Sequence, residues 1–167
     1  MDNETISGAS ENWKPVTEST FQSVVEKYQD NPYVLGFVNW DEPFHEDAYY
    51  TMMKQRQDWM QKYAPGKMSF INLVPSYGPY TWGNGLFKEH VDTLLSRVDP
   101  QVLSVDYYAF SDYASGKPDI DLNTCGLWRD LGYLRQQAIA TNKPLWFYFQ
   151  GFGDLSPAHI RFQMNAG

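Results

Sequence analysis

The stretch Tyr33-Val34-Leu35-Gly36-Phe37-Val38-Asn39-Trp40-Asp41-Glu42-Pro43 decides the fold. Its first eight residues are almost continuously apolar, as in a strand covered on both faces of a parallel sheet; a strand with one wet face would alternate. Asp41-Glu42-Pro43 ends the run. Upstream, Thr17 can cap a helix with Phe21, Val24, Val25 and Tyr28 on one side, and Asn31-Pro32 stops it. Downstream, Tyr49, Met52, Met53, Trp59, Met60 and Tyr63 recur at spacings of three and four. They predict a helix from about Asp47 to Tyr63, closed by Pro65-Gly66.

The same alternation continues along the chain. Met68 to Val74 is a second apolar strand, followed by the turn-rich and ring-rich segment Pro75 to Gly85 and a helix over Leu86 to Val98. Val102 to Asp106 is a third strand, ending in Tyr107-Tyr108. A polar loop through Asn123 leads to a helix with Leu127, Leu131, Leu134, Ala138 and Ile139 on one side. Lys143-Pro144 launches a fourth strand, Leu145 to Gln150, and Ser156-Pro157 is a capped helix start. Strands beginning near 33, 68, 102 and 145 give units of roughly 35 to 43 residues, the rhythm of βαβ construction. Residues 1–15 lack periodicity and read as a flexible lead-in, and residues 16–167 as one (β/α)4-type segment.

The strand ends choose between an open sheet and a barrel. No glycine-rich phosphate fingerprint follows any strand, which removes the dinucleotide-binding reading of an open sheet. Glu42, Asn72, Asp106 and Gln150 fall at or near the four strand ends, where barrels build their sites. The expected fold is therefore α/β, built of parallel (β/α) units of a TIM barrel, as a half-barrel or a fragment. Four units leave two sheet edges and an apolar surface uncovered. Either the remainder of a longer barrel or a second copy related by a two-fold axis would cover them.

Composition narrows the partners. A net charge of −7 opposes polyanions such as nucleic acid and acidic membrane surfaces. No apolar run is long enough to span a bilayer, and Met1 to Pro15 lacks the basic start and apolar stretch of a signal peptide. Cys125 is the single cysteine, too few for an internal disulfide. His45, His90 and His159 are dispersed without metal-ligand spacing, so neither metal nor cofactor is expected.

Glycoside hydrolysis needs two carboxyl groups beside a sugar bond, one held protonated by its surroundings. Glu42 suits the acid, because it ends an apolar strand and adjacent Asp41 raises its pKa by like-charge repulsion. The structural alternative is that Asp41 and Glu42 only charge the start of the next helix. Asp106 is the next carboxylate at a strand end, either nucleophile or base, or an acceptor ordering loop amides. Asn72 and Gln150 suit sugar hydroxyls or the positioning of a carboxylate. Aromatic residues make up 17% of the chain, more than a core alone asks for. Trp40, Tyr77, Tyr80, Trp82, Tyr107, Tyr108, Trp146, Tyr148 and Phe152 lie at or just past strand ends, placed to stack on sugar rings. Carbohydrate is the partner this pattern predicts.

Four motifs carry a resemblance: Val34-Leu35-Gly36-Phe37-Val38-Asn39-Trp40-Asp41-Glu42-Pro43, Ile71-Asn72-Leu73-Val74-Pro75-Ser76-Tyr77, Leu103-Ser104-Val105-Asp106-Tyr107-Tyr108 and Arg161-Phe162-Gln163-Met164-Asn165-Ala166-Gly167. In this order they resemble bacterial glycosidase-like TIM-barrel proteins common in gut Bacteroidetes, distantly similar to the family 42 β-galactosidases. The resemblance spans roughly residues 20 to 167 and implies that the chain covers barrel strands four to seven, with full-length relatives periplasmic or secreted. It also maps Glu42 onto the general acid/base that such glycosidases place after strand four, although Asp41 stands where they usually have Asn. Their nucleophile is a Glu after strand seven, and here that strand end carries Gln150. Three explanations stay open: Asp106 supplies the second carboxylate, the substrate assists, or the protein binds glycans without cleaving them.

Overall fold

The structure, a computed structural model, describes residues 16–78, 84–110 and 120–165. Thr17 caps α1 (Glu18–Tyr28) by accepting from the Thr20 N–H at 3.3 Å. Then come β1 (Gly36–Asp41), α2 (Asp47–Tyr63), β2 (Met68–Asn72), α3 (Asn84–Arg97), β3 (Leu103–Tyr107), α4 (Ile120–Thr141), β4 (Leu145–Phe149) and α5 (Pro157–Met164). Ser156 caps α5 with Pro157 in its first turn, as that local sequence predicts.

Two boundaries differ from the sequence reading by three residues or more, the others by two at most. The first strand begins at Gly36 and not at Tyr33, because the Asn31 carbonyl accepts from Val34 N–H and its side chain from Tyr33 N–H, prolonging the turn. Tyr33 and Leu35 consequently stay 91% and 76% exposed. Helix α4 begins at Ile120, so the polar residues assigned to the end of the preceding loop form its first turn.

β1 pairs with β2 and β3 with β4, both parallel. A parallel bridge between Leu73 and Val105, with the Leu73 N–H on the Ser104 carbonyl at 2.9 Å, joins the pairs. The order across the sheet is thus β1-β2-β3-β4, each strand beside its successor in sequence. Side chains from α2, α3 and α4 pack on one face of these strands around Ile71, Leu73, Leu103, Val105 and Tyr107. α1 closes a smaller cluster of Phe21, Val25, Met60 and Ala64 against Phe37. On the opposite face Phe70 of β2 reaches over β3 to Trp146 and Tyr148 of β4, at ring separations of 5.4 and 5.9 Å. This second face is covered only in part: Phe70 is buried, whereas Val38, Trp146 and Tyr148 are 42%, 39% and 49% exposed. No helix among the described residues is long and apolar enough to cross a membrane.

α2 spans the residues its periodicity predicts, but its buried stripe is Tyr50, Met53, Arg56, Gln57 and Met60. Two polar residues are tolerated there because each satisfies backbone carbonyls. Arg56 donates to Asn39 O at 2.8 Å, and Gln57 to Val98 O and Asp99 O where α3 ends.

The closest backbone approach is at Gly36, where an added Cβ would lie 2.3 Å from the Met68 carbonyl oxygen. Gly36→Ala should therefore weaken β1–β2 pairing and destabilise by roughly 1–3 kcal/mol. Gly132 lies in α4 with nothing within 4 Å of its Cβ position, and Gly132→Ala should stabilise by about 0.5–1 kcal/mol. Urea unfolding of both variants checks the pair of opposite signs.

Candidate functional site

The site is built by a one-residue irregularity in β1. Register runs Val38↔Phe70 and then Trp40↔Ile71, leaving Asn39 as an extra residue. Such a bulge puts two successive side chains on one face and reverses the parity beyond it. Asn39 and Trp40 both turn to the helices, Asn39 donating to the Met53 carbonyl at 3.0 Å and to the Ser69 hydroxyl at 3.1 Å. Asp41 consequently lies on the partly covered face, beside Asn72.

From Asp41 a hydrogen-bonded chain crosses three strands. Ser104 donates to Asn72 Oδ1 at 2.9 Å, and Asn72 Nδ2 donates to Asp41 Oδ1 at 3.2 Å. The backbone N–H of Glu42 donates to the Asn72 carbonyl at 2.9 Å, and Glu42 adopts φ +48°. A left-handed residue with a long side chain costs about 1–2 kcal/mol and persists only where its surroundings hold it. Here the turn brings the Glu42 carboxyl within hydrogen-bonding reach of Asp106.

Asp106 is 6% exposed, and its carboxylate receives bonds from the Tyr108 hydroxyl and Asn72. Its Oδ1 nevertheless has no donor when both acids are counted as ionised. A protonated Glu42 would bring a hydrogen bond to Asp106. The Glu42 carboxyl is accordingly pushed up to about 7, first by burial, then by the charges of Asp106 and Asp41 and by the bond to Asp106. Glu42 keeps exposed surface at the turn, with Asp41 and Asp106 beside it. Asp106 is also raised, by burial first, with Asp41 adding to the effect and the Tyr108 bond opposing it. Both acids are therefore held above their ordinary range, and the charge of Asp106 favours a proton on Glu42.

The other predicted residues divide into two groups. At the rim, Tyr108 stands between Asp106 and the ring of Phe152, 5.0 Å away edge-on, and Trp146 and Tyr148 offer open ring surface on the same face. Away from it, Trp40 is fully buried against Tyr49 and under the Arg56 guanidinium, 4.4 Å from its ring, so it has no surface for a sugar. The bulge, unseen in the sequence, moved it there. Tyr107 is likewise buried, 4.8 Å edge-on to Tyr77, whose hydroxyl accepts from the Tyr108 N–H. Gln150 is 2% exposed and its amide is used: it accepts from Phe110 N–H, donates to Phe152 O, and its backbone is clasped by Gln163. It orders the loop after β4 and leaves nothing for a ligand. Tyr80 and Trp82 lie outside the described residues.

The sequence reading missed one cluster. His45 and His90, read as dispersed, meet through the Tyr50 hydroxyl just after Glu42 in the chain. Residues 40 positions apart carry no local signal of such a meeting. Among the described residues no three His, Cys, Asp or Glu side chains are grouped to hold a metal. Compared with protein-family models, curated proteins and solved structures, the chain finds no match in any of the three.

A carboxyl with a folded pKa above its usual 4.5 contributes stability fully below 4.5 and loses it as pH rises through about 7. Glu42→Gln keeps a neutral donor for Asp106 at every pH. The variant should therefore melt higher than the native chain at pH 8, with a smaller difference at pH 5. Scanning calorimetry at the two pH values checks this; equal shifts would contradict a raised Glu42.

Proposed function

We propose that this chain is a segment of a glycoside hydrolase barrel, corresponding to strands four to seven, in which Glu42 is the general acid/base. The observation that carries the reading is a carboxyl at a strand-end turn, raised to about 7 first by burial and then by the charges of Asp106 and Asp41 beside it. A general acid is most effective when its pKa lies near the working pH, because it is then both populated and able to give its proton away. Sequential parallel strands with helices on one face agree with the barrel part of the reading, since an open doubly wound sheet carries helices on both. The exposed rings of Trp146, Tyr148 and Phe152 and the half-buried ring of Tyr108 are flat apolar surfaces, suited to the faces of a pyranose. Carbohydrate is accordingly the substrate class.

Asp106 takes a different part from that of an opposing carboxylate. Retaining pairs stand about 5 Å apart and inverting pairs roughly 6.5–9.5 Å, leaving room for the sugar carbon or for water. Asp106 instead bears directly on Glu42, by charge and through a side-chain hydrogen bond. In this reading Asp106 keeps the proton on Glu42, as Asp41 does by charge, and Tyr108 steadies Asp106. The same contact favours a second reading, a glycan-binding barrel segment that does not cleave. In both readings the exposed surface around Val38, Trp146 and Tyr148 is closed by further barrel strands or by a second copy of the chain.

Glu42→Gln separates the readings. Hydrolysis of an aryl-glycoside panel should fall by roughly 100-fold or more, with affinity for the same sugars kept within a few-fold. Sugar binding without cleavage by the native chain, unchanged in Glu42→Gln, would favour the binding module. Absence of both binding and cleavage across the panel would remove both.

A further inference from the structure

Outside the carboxyl pair, His45, Tyr50 and His90 form a connected group of titratable side chains among the described residues. The Tyr50 hydroxyl, on α2, lies 2.5 Å from His45 Nδ1 and also bonds Nδ1 of His90 on α3. One hydroxyl has one proton, so it donates to one of these nitrogens and must accept an N–H from the other. The arrangement is therefore a directed relay of two bonds, which loses both if the hydroxyl is removed. Tyr50 and His90 are 1% and 0% exposed, and the three rings pack edge-on or tilted, at centroid separations of 5.3 to 5.8 Å.

The surroundings of the relay are specific. Glu89 of α3 lies 3.7 Å from His45 Nε2, and the Arg97 guanidinium lies 5.3 Å from the centre of the Tyr50 ring. Asp47 and Thr93 complete the polar groups near Tyr50. Burial, followed by the neighbouring His45, brings His90 down to about 4, so it is neutral across the range in which Glu42 titrates; the Pro43 carbonyl is the backbone acceptor near it. His45 and Pro43 belong to the short segment that follows Glu42. One end of that segment is tied to the sheet by Glu42 N–H on the Asn72 carbonyl. The other is tied to two helices through Tyr50. Between the two ties Glu42 sits at φ +48°, a conformation it would leave if either tie were cut.

We infer that His45, Tyr50 and His90 are positioning residues whose relay holds the segment after β1 so that the Glu42 carboxyl meets Asp106. They touch neither substrate nor the reacting proton. The inference rests on the reading of Glu42 as the acid, and adds what keeps it in place.

The test is a carboxyl 13C titration of Glu42 in the native chain, in Tyr50→Phe and in Met60→Ala. In the native chain Glu42 should titrate near 7. Tyr50→Phe keeps the ring and removes the relay, and Glu42 should fall by at least one pH unit toward ordinary carboxylate values. Met60→Ala opens a cavity in the same helix against the smaller core; it should lower the melting temperature and leave the Glu42 titration where it was. If Tyr50→Phe fails to fold, His45→Asn carries the same expectation. A folded Tyr50→Phe with Glu42 unmoved overturns the inference and leaves the acid reading standing. A shift of equal size in Met60→Ala also overturns it, because general loosening would then explain both. A native Glu42 titrating like a free carboxylate sinks the acid reading and the inference together.

Discussion

Three side chains bonded in series, Ser104 to Asn72 to Asp41, run from the start of β3 to the ends of β2 and β1 and set the geometry of the rim. The Asn72 amide has one acceptor and one donor end, and each is matched to a group of fixed character: a hydroxyl that gives a proton and a carboxylate that takes one. Ser104 and Asn72 are 1% and 6% exposed, so water is a poor substitute for either bond. Each bond contributes on the order of 1 kcal/mol, and losing one partner costs more, since the other is left buried and unsatisfied. The chain holds Asp41 at the rim, Glu42 bonds its N–H to the carbonyl of the same Asn72, and the Glu42 carboxyl is thereby delivered to Asp106.

That delivery sets two titrating groups, Glu42 at the rim and the buried His90, against each other. Glu42 binds its proton more tightly in the folded chain than in the unfolded one, so between 4.5 and about 7 its contribution to stability declines as pH rises. His90 is the reverse. Its folded value of about 4 against an ordinary 6.5 means that the unfolded chain takes up a proton the folded one refuses, so in that window its contribution grows as pH rises. The two slopes oppose each other from 4.5 to 6.5. A rim that keeps carboxyls together and a relay that keeps a histidine neutral both oppose stability somewhere on the pH scale. Residues selected for stability alone would not be placed this way.

Much of this was legible in the sequence, for reasons that can be named. The strands announced themselves because a strand between helices and a second apolar layer is apolar throughout, and their spacing gave parallel units directly. Asp41, Glu42, Asn72 and Asp106 were found because a strand end is a place that can be counted to. Trp40 was misplaced because counting assumes strict alternation, and the extra residue at Asn39 reverses it. Gln150 was misread because nothing local reveals that Phe110 and Gln163, 40 and 13 residues away, take up its amide and backbone. The meeting of His45, Tyr50 and His90 is the same kind of fact, a product of helix packing between α2 and α3. Strand ends are local; the assignment of hydrogen-bond partners across a core is not.

The central claim is that the charge of Asp106 favours a proton on Glu42, and a double-mutant cycle measures this without any substrate. Unfolding free energies of the native chain, Glu42→Gln, Asp106→Asn and the double variant, taken at pH 6 and at pH 9, isolate the interaction of the two side chains. A proton held on Glu42 beside Asp106 predicts a favourable coupling of roughly 0.5–3 kcal/mol at pH 6, turning unfavourable at pH 9, where both acids are ionised. Additivity within about 0.5 kcal/mol at both pH values would mean that the two carboxyls do not meet, and the account of the site would fail with them.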